Sequence, residues 1–430
     1  MKPDFLNLDF DEAPFIAIWE VTRACDLVCK HCRAEAQPER HPHELTTSEG
    51  FELIRQIREF GKPLFVITGG DPLYRPDICS LVQHAHELGL RVALTPAGTP
   101  KLDADAINHL KLNGLSRLAV SLDGSTRQVH DEFRGVEGSY EWTVSAIRYA
   151  RTIDLPVQVN TSIGKHNVHD VMRMSELMKE LDICLWSVFF IVPTGRAGRR
   201  GIISAPEHEE VFDQLYELSK TMPFDIKTTA GQHYRRVVLQ RRIEENGSMG
   251  NDGVMGRWSD GKSGNDDVKM ETGGWAANVN SVMGEGGTRP EFLTDKATAQ
   301  RDASSMIGRA AKGVNDGNGF VFISHTGEVF PSGFLPLSAG NVRETPLPDL
   351  YRNSPLFRAC RSYELLQGKC GYCEFRDVCG GSRSRSFGVT GNLFASEPYC
   401  VYKPEKPEGY VQPEIPAEFK DFTRALPVLQ

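Results

Sequence analysis

Short apolar runs alternate with amphipathic stretches through the first half of the chain. The runs lie at 15–19, 64–67, 92–94, 118–122, 157–161 and 185–192. Between them apolar residues recur every three or four positions: Leu53, Ile54, Ile57 and Phe60, then Ile78, Leu81, Val82, Ala85 and Leu88, then Val171, Met174, Leu177, Met178 and Leu181. Short runs suit buried strands, and the helical recurrence suits helices with one face on a core. Thr46 with Glu49 predicts a capping box at the first helix, and Gly114 predicts a stop after the helix that carries Leu110. Six strands alternating with helices predict an α/β fold, a partial (β/α)6 TIM-like barrel built on a parallel sheet with right-handed crossovers.

The pattern continues through a helix at 206–222, a strand at 224–229 and a basic helix to about 243. Its character changes at 245–318, where Gly, Asn, Asp and Ser dominate. Such a segment buries little and reads as an insertion, either a lid docked through Trp258 and Trp275 or a disordered spacer. A hairpin follows, with strands at 320–323 and 328–330 around His325, Thr326 and Gly327. The expected organisation is an N-terminal segment (1–14), the barrel (15–244), the insertion (245–318), a small cysteine-bearing domain (319–404) and a Pro-rich tail (405–430).

In parallel α/β sheets, chemistry collects where strands end and loops begin. Cys25, Cys29 and Cys32 follow the first strand directly. Three thiolates so closely spaced can hold three irons of a 4Fe-4S cube and leave the fourth open to a small molecule. After the second strand come Gly69, Gly70, Asp71 and Pro72, glycines that let backbone approach a ligand beside a carboxylate and a rigid ring. Ser121 and Asp123 end the fourth strand, Asn160 lies on the fifth, and the sixth runs through Ile191, so all face one pocket. Downstream, Cys370, Cys373, Cys379 and Cys400 suffice to close a second 4Fe-4S cluster; a four-cysteine zinc site fits the same spacing. Cys79, Cys184 and Cys360 read as small hydrophobes, the first on a helix and the second on a strand.

Composition narrows the classes. A net charge of -8 over 430 residues argues against a nucleic-acid binder. The acidic N-terminus is no signal peptide, and no apolar run reaches the roughly 18 residues of a membrane span. A cytoplasmic protein is expected, in which the cysteines, seven of the ten closely spaced, read as metal ligands or redox thiols more than as disulfides.

The triad with His31, and the run Gly69, Gly70, Asp71, Pro72, resemble the radical S-adenosylmethionine (radical SAM) superfamily, with Asp71 where Glu is commoner. The resemblance implies that SAM chelates the open iron through its amino and carboxylate groups, with the glycine-rich run at the amino group. It also implies Ser121, Asp123 and Asn160 as ribose or carboxylate contacts, His31 and Ile191 beside the adenine, and Arg134 as a further contact. The implied reaction is one-electron cleavage of SAM to methionine and a 5'-deoxyadenosyl radical, which abstracts hydrogen from substrate, with a flavodoxin or ferredoxin as electron donor.

The hairpin and the four later cysteines resemble the SPASM type of C-terminal extension, although Ser332 and Arg383 stand where further ligand cysteines occur. That leaves one auxiliary 4Fe-4S cluster. The segments 330–336, 340–343 and 379–385 resemble the branch acting on heme precursors, which implies decarboxylation or removal of a tetrapyrrole side chain. Arg196, Arg199 and Arg200, beyond the sixth strand, are placed to meet substrate carboxylates. Two alternatives remain: a SPASM-type maturase of a ribosomally made peptide, disfavoured by the short segment before the first strand, and a non-catalytic zinc-binding scaffold.

Overall fold

The computed structural model describes residues 8–199, 201–249 and 313–423. Arg200 and most of the expected insertion, Trp258 and Trp275 included, lie outside these residues. The barrel part comprises β1 (Ile16–Glu20), α1 (Thr47–Glu59), β2 (Leu64–Thr68), α2 (Ile78–Glu87), β3 (Arg91–Leu94), α3 (Ala104–Leu112), β4 (Arg117–Ser121), α4 (Arg127–Arg134), α5 (Ser139–Thr152), β5 (Val157–Ile163), α6 (Val171–Glu180), β6 (Leu185–Phe190), α7 (Ala205–Thr221), β7 (Asp225–Thr229) and α8 (Tyr234–Met249). The C-terminal part adds β8 (Phe320–Ile323), β9 (Glu328–Phe330), β10 (Gly340–Asn341), α9 (Leu347–Asn353), α10 (Pro355–Arg361), α11 (Arg376–Cys379) and α12 (Arg383–Thr390).

All ten strands form one sheet in the order β10-β9-β8-β1-β2-β3-β4-β5-β6-β7. From β8 to β7 every pairing is parallel; β9 and β10 turn back antiparallel. β7 and β8 thus extend the expected six strands at opposite edges. β8 pairs with β1, Ile16 opposite Phe320, so the hairpin of the C-terminal part belongs to the barrel's own sheet.

The local signals act as physical chemistry requires. Thr46 Oγ1 accepts from the Glu49 amide at 3.3 Å and Glu49 Oε2 accepts from the Thr46 amide at 2.8 Å, closing the capping box of α1. α3 ends at Leu112, and the left-handed turn that follows is taken by Gly114. Cys184 sits at the bend just before β6 rather than on it.

Along the strands the two faces differ. Trp19, Phe65, Ile67, Val120, Val159, Trp186 and Val188 are buried in the core shared with the outer helices. Their alternates Ile18, Val66, Ser121, Asn160 and Phe189 keep partial exposure. Side chains alternate across a strand, so one face packs under helices and the other borders an open chamber inside the curved sheet. Among the described residues no helix is long and apolar enough to cross a membrane.

Candidate active site

The loop after β1 is pinned by its neighbours. The Gly70 amide donates to Thr22 O at 2.8 Å and the Asp71 amide to Ala24 O at 2.7 Å. A Cβ on Gly70 would lie 2.5 Å from Ala24 O, so only glycine admits this approach. At the other end, the Arg196 amide donates to Cys32 O at 3.1 Å, and a Cβ on Gly195 would lie 2.5 Å from that same oxygen. The glycine-rich run therefore serves first to seat the cysteine loop.

Cys25, Cys29 and Cys32 share one small apolar patch with Leu27 and Ala97. Their sulfurs accept hydrogen bonds: Cys25 Sγ from the Leu27 amide (3.3 Å), Cys32 Sγ from the Ala36 amide (3.3 Å) and Cys29 Sγ from Arg134 Nη1 (3.7 Å). Hydrogen bonds to cysteine sulfur tune iron-sulfur clusters. Burial pushes the Cys25 thiol up to about 12 and that of Cys29 in the same direction, so a cluster must displace protons as it binds. Among the described residues no three His, Cys, Asp or Glu side chains converge on a single ion.

Arg134, at the end of α4, forms a 2.5 Å ion pair with Asp123, whose other oxygen accepts from the Ser162 amide at 2.7 Å. Burial alone would raise the Asp123 carboxyl; Arg134, together with His31, His130 and the Ser162 amide, outweighs it and holds the group at about 2. His31 stacks on Phe133 (centroids 4.1 Å apart), which stacks on His166 (3.5 Å). Burial lowers His31 to about 3, leaving it neutral, and its Nδ1 has no hydrogen-bond partner. Such an orphaned buried nitrogen suits a site that a polar ligand completes. Ile191 packs with Phe133 and Ile202 beside this stack. Asp71 is fully buried, accepting from Thr99 Oγ1 (3.0 Å) and the Leu73 amide (3.1 Å), and burial raises it to about 6.

Ser121 and Asn160 are register partners on β4 and β5 and open onto the chamber. The loop arginines stand apart from them. Arg196 and Arg199 are exposed, and Arg199 donates to Val389 O at 2.8 Å.

Sequence reasoning missed a charged rim. Glu20, buried at the end of β1, pairs with Arg33 at 2.5 Å and lies 3.3 Å from His325 Nδ1 of the hairpin turn. Burial pushes its carboxyl up, but Arg33 and His325 bring it to about 2. A strand-terminal Glu followed by basic residues was the available signal; the hairpin's position next to β1 was not readable locally.

In the C-terminal part, Cys370 Sγ accepts from the Glu397 amide and Cys379 Sγ from the Gly381 amide, both at 3.4 Å. Cys373 and Cys379 pack with Leu239 and Phe375, and Cys370 lies within electrostatic reach of the other three thiols. Glu397 also pairs with Arg385 at 2.9 Å, and Arg385 donates to the carbonyls of Ile191 and Ala230 at the ends of β6 and β7. This buried pair, also unread in the sequence, ties the second cysteine set to the chamber. Ser332 Oγ accepts from the Phe334 amide at 3.2 Å. Arg383 donates to Leu393 O and Ala395 O, at 2.9 and 2.8 Å. Both brace the backbone around them. Cys360 is buried among Leu335, Leu356 and Phe387.

Residues 19–178 match the Radical SAM superfamily. An AdoMet-dependent heme synthase of Methanosarcina barkeri is 34% identical over 92% of this chain and 98% of that protein. One of Oleidesulfovibrio alaskensis is 37% identical over 90% of this chain and 87% of that protein. Among solved structures, Streptococcus suis SuiB bound to S-adenosylmethionine aligns over 91% of this chain and 78% of that one, with a TM-score of 0.59 at 15% identity, a likeness of fold. The chain belongs to the radical SAM superfamily, in the family that includes the AdoMet-dependent heme synthases.

Proposed function

We propose that this radical SAM enzyme removes side-chain carboxylates from an iron tetrapyrrole on the way to heme. The reading is carried by the chamber, which sets an apolar wall against a polar one beside the cysteine loop, in a chain that matches heme synthases over nine-tenths of its length. That combination suits a flat macrocycle edged with carboxylates.

Cys25, Cys29 and Cys32 would hold the first 4Fe-4S cluster, and SAM bound there supplies a 5'-deoxyadenosyl radical. Gly69, Gly70, Asp71 and Pro72 seat that loop and border the ligand. Ser121 and Asn160 offer hydrogen bonds from the strand ends, and His31 and Ile191 supply an apolar, uncharged wall for an adenine. Arg134, neutralised by Asp123, holds the Cys29 side of the loop in place. Cys370, Cys373, Cys379 and Cys400 would hold a second 4Fe-4S cluster, which offers a one-electron acceptor. For each propionate converted to vinyl, the side chain loses one hydrogen atom, one CO2 and one electron. A flavodoxin or ferredoxin would deliver the reducing electron.

The test is anaerobic turnover of the reconstituted enzyme with SAM, reductant and iron-coproporphyrin III deuterated on its propionates. Expected are 5'-deoxyadenosine carrying deuterium and a porphyrin lighter by the elements of lost carboxyl groups. SAM cleavage with porphyrin of unchanged mass would overturn the reading.

A further inference from the structure

The inner wall of the barrel is two-sided. Phe322, Ile18, Val66 and Ala93 lie side by side on β8, β1, β2 and β3. On β4 to β7 one row reads Ser121, Asn160, Ser187 and Lys227. Register partners of a parallel sheet point to the same face, so this polar row crosses the chamber one step below Ser162, Phe189 and Thr229.

Lys227 is the one charged member of the row. It is half-buried and has no hydrogen-bond or ion-pair partner among the described residues. The charged group that acts on it is Arg117, of like sign, while Asp225, two residues below on β7, is within reach of Arg117. Burial, then Arg117, draws the Lys227 ammonium down to about 8. Beside it, the fully buried Ser187 hydroxyl also lacks a partner. Uncompensated polar groups of this kind cost folding stability and mark places where a local rule is broken for function.

We infer that Lys227, with Ser187 beside it, binds a carboxylate of the substrate inside the barrel, while Ile18 and Val66 take the flat ring face. This rests on the proposed tetrapyrrole chemistry and names the group that orients it. The exposed Arg196 and Arg199 lie outside this row, and Arg199 is already engaged with Val389.

The probes are iron-coproporphyrin III and its tetramethyl ester, titrated by absorbance into enzyme carrying both clusters. Wild type is expected to favour the free acid. Lys227→Met should bind the acid about tenfold more weakly, a loss of about 1.4 kcal/mol, and no longer distinguish acid from ester. Lys227→Arg should keep the preference. Without porphyrin, Lys227→Met should melt at or above the wild-type temperature, since it removes an uncompensated charge; a lysine with a merely structural role would melt lower. Equal affinity of wild type and Lys227→Met for the acid overturns this inference alone, as does an equal loss for acid and ester with a lowered melting temperature. A wild type that binds neither porphyrin overturns the proposed function as well.

Discussion

The Arg134 guanidinium sits 2.5 Å from the Asp123 carboxylate, and its other arm reaches the Cys29 sulfur at 3.7 Å. The ion pair thus carries a charge-bearing donor to a thiolate that would ligate iron. Asp123→Asn leaves that guanidinium buried and uncompensated, which should cost about 3–5 kcal/mol in urea unfolding. The double variant Asp123→Asn with Arg134→Met should recover part of that loss. Arg134→Met alone should shift the reduction potential of the first cluster, read by an EPR redox titration.

Gly70→Ala places a methyl group 2.5 Å from Ala24 O, a backbone atom that cannot swing aside. The cysteine loop must move, so iron should fall from about eight per chain to about four, the second cysteine set keeping its share. Iron analysis with Mössbauer spectroscopy checks this; an unchanged content would mean that the loop tolerates the shift.

The two cysteine sets should divide the work. Cys29→Ala should abolish reductive SAM cleavage, whereas Cys373→Ala should leave it and lose product. Methionine release and porphyrin mass, measured on the same samples, separate these outcomes.

Arg343 reaches back from beyond the hairpin to Glu49 at 2.6 Å, and this bond, more than any other, holds the Glu49 carboxyl at about 2. Because the folded value lies below the ordinary 4.5, the stabilisation is fully present above that pH and is lost as pH falls toward 2. Glu49→Gln should lower stability by about 1 kcal/mol at neutral pH and flatten the acid limb of the stability profile between those limits. Chemical denaturation at a series of pH values checks it.

Strands and helices were readable because each is written locally. The capping box at Thr46 and Glu49 and the stop at Gly114 need only neighbours a few residues away. The cysteine triad and the glycine run were readable as chemistry, but that Gly70 admits the loop's own carbonyls follows from two segments meeting in space. Nothing near Asp123 announces that Arg134 neutralises it. Lys227 lies in an unremarkable strand, and its meaning depends on the register that sets it beside Ser187. The pairing of β8 with β1 joins residues about three hundred apart, beyond any local pattern.

That last pairing fixes an order of events at the ribosome. Until residues 320–323 emerge, the outer edge of β1 has no strand to bond to, and the cysteine loop that hangs from its end lacks its hairpin-side neighbours. At roughly 5–20 residues per second this exposed interval lasts on the order of 15–60 seconds, long enough for aggregation at the open edge to compete with folding. The rim of Glu20, Arg33 and His325 is therefore completed only after about three-quarters of the chain has been made.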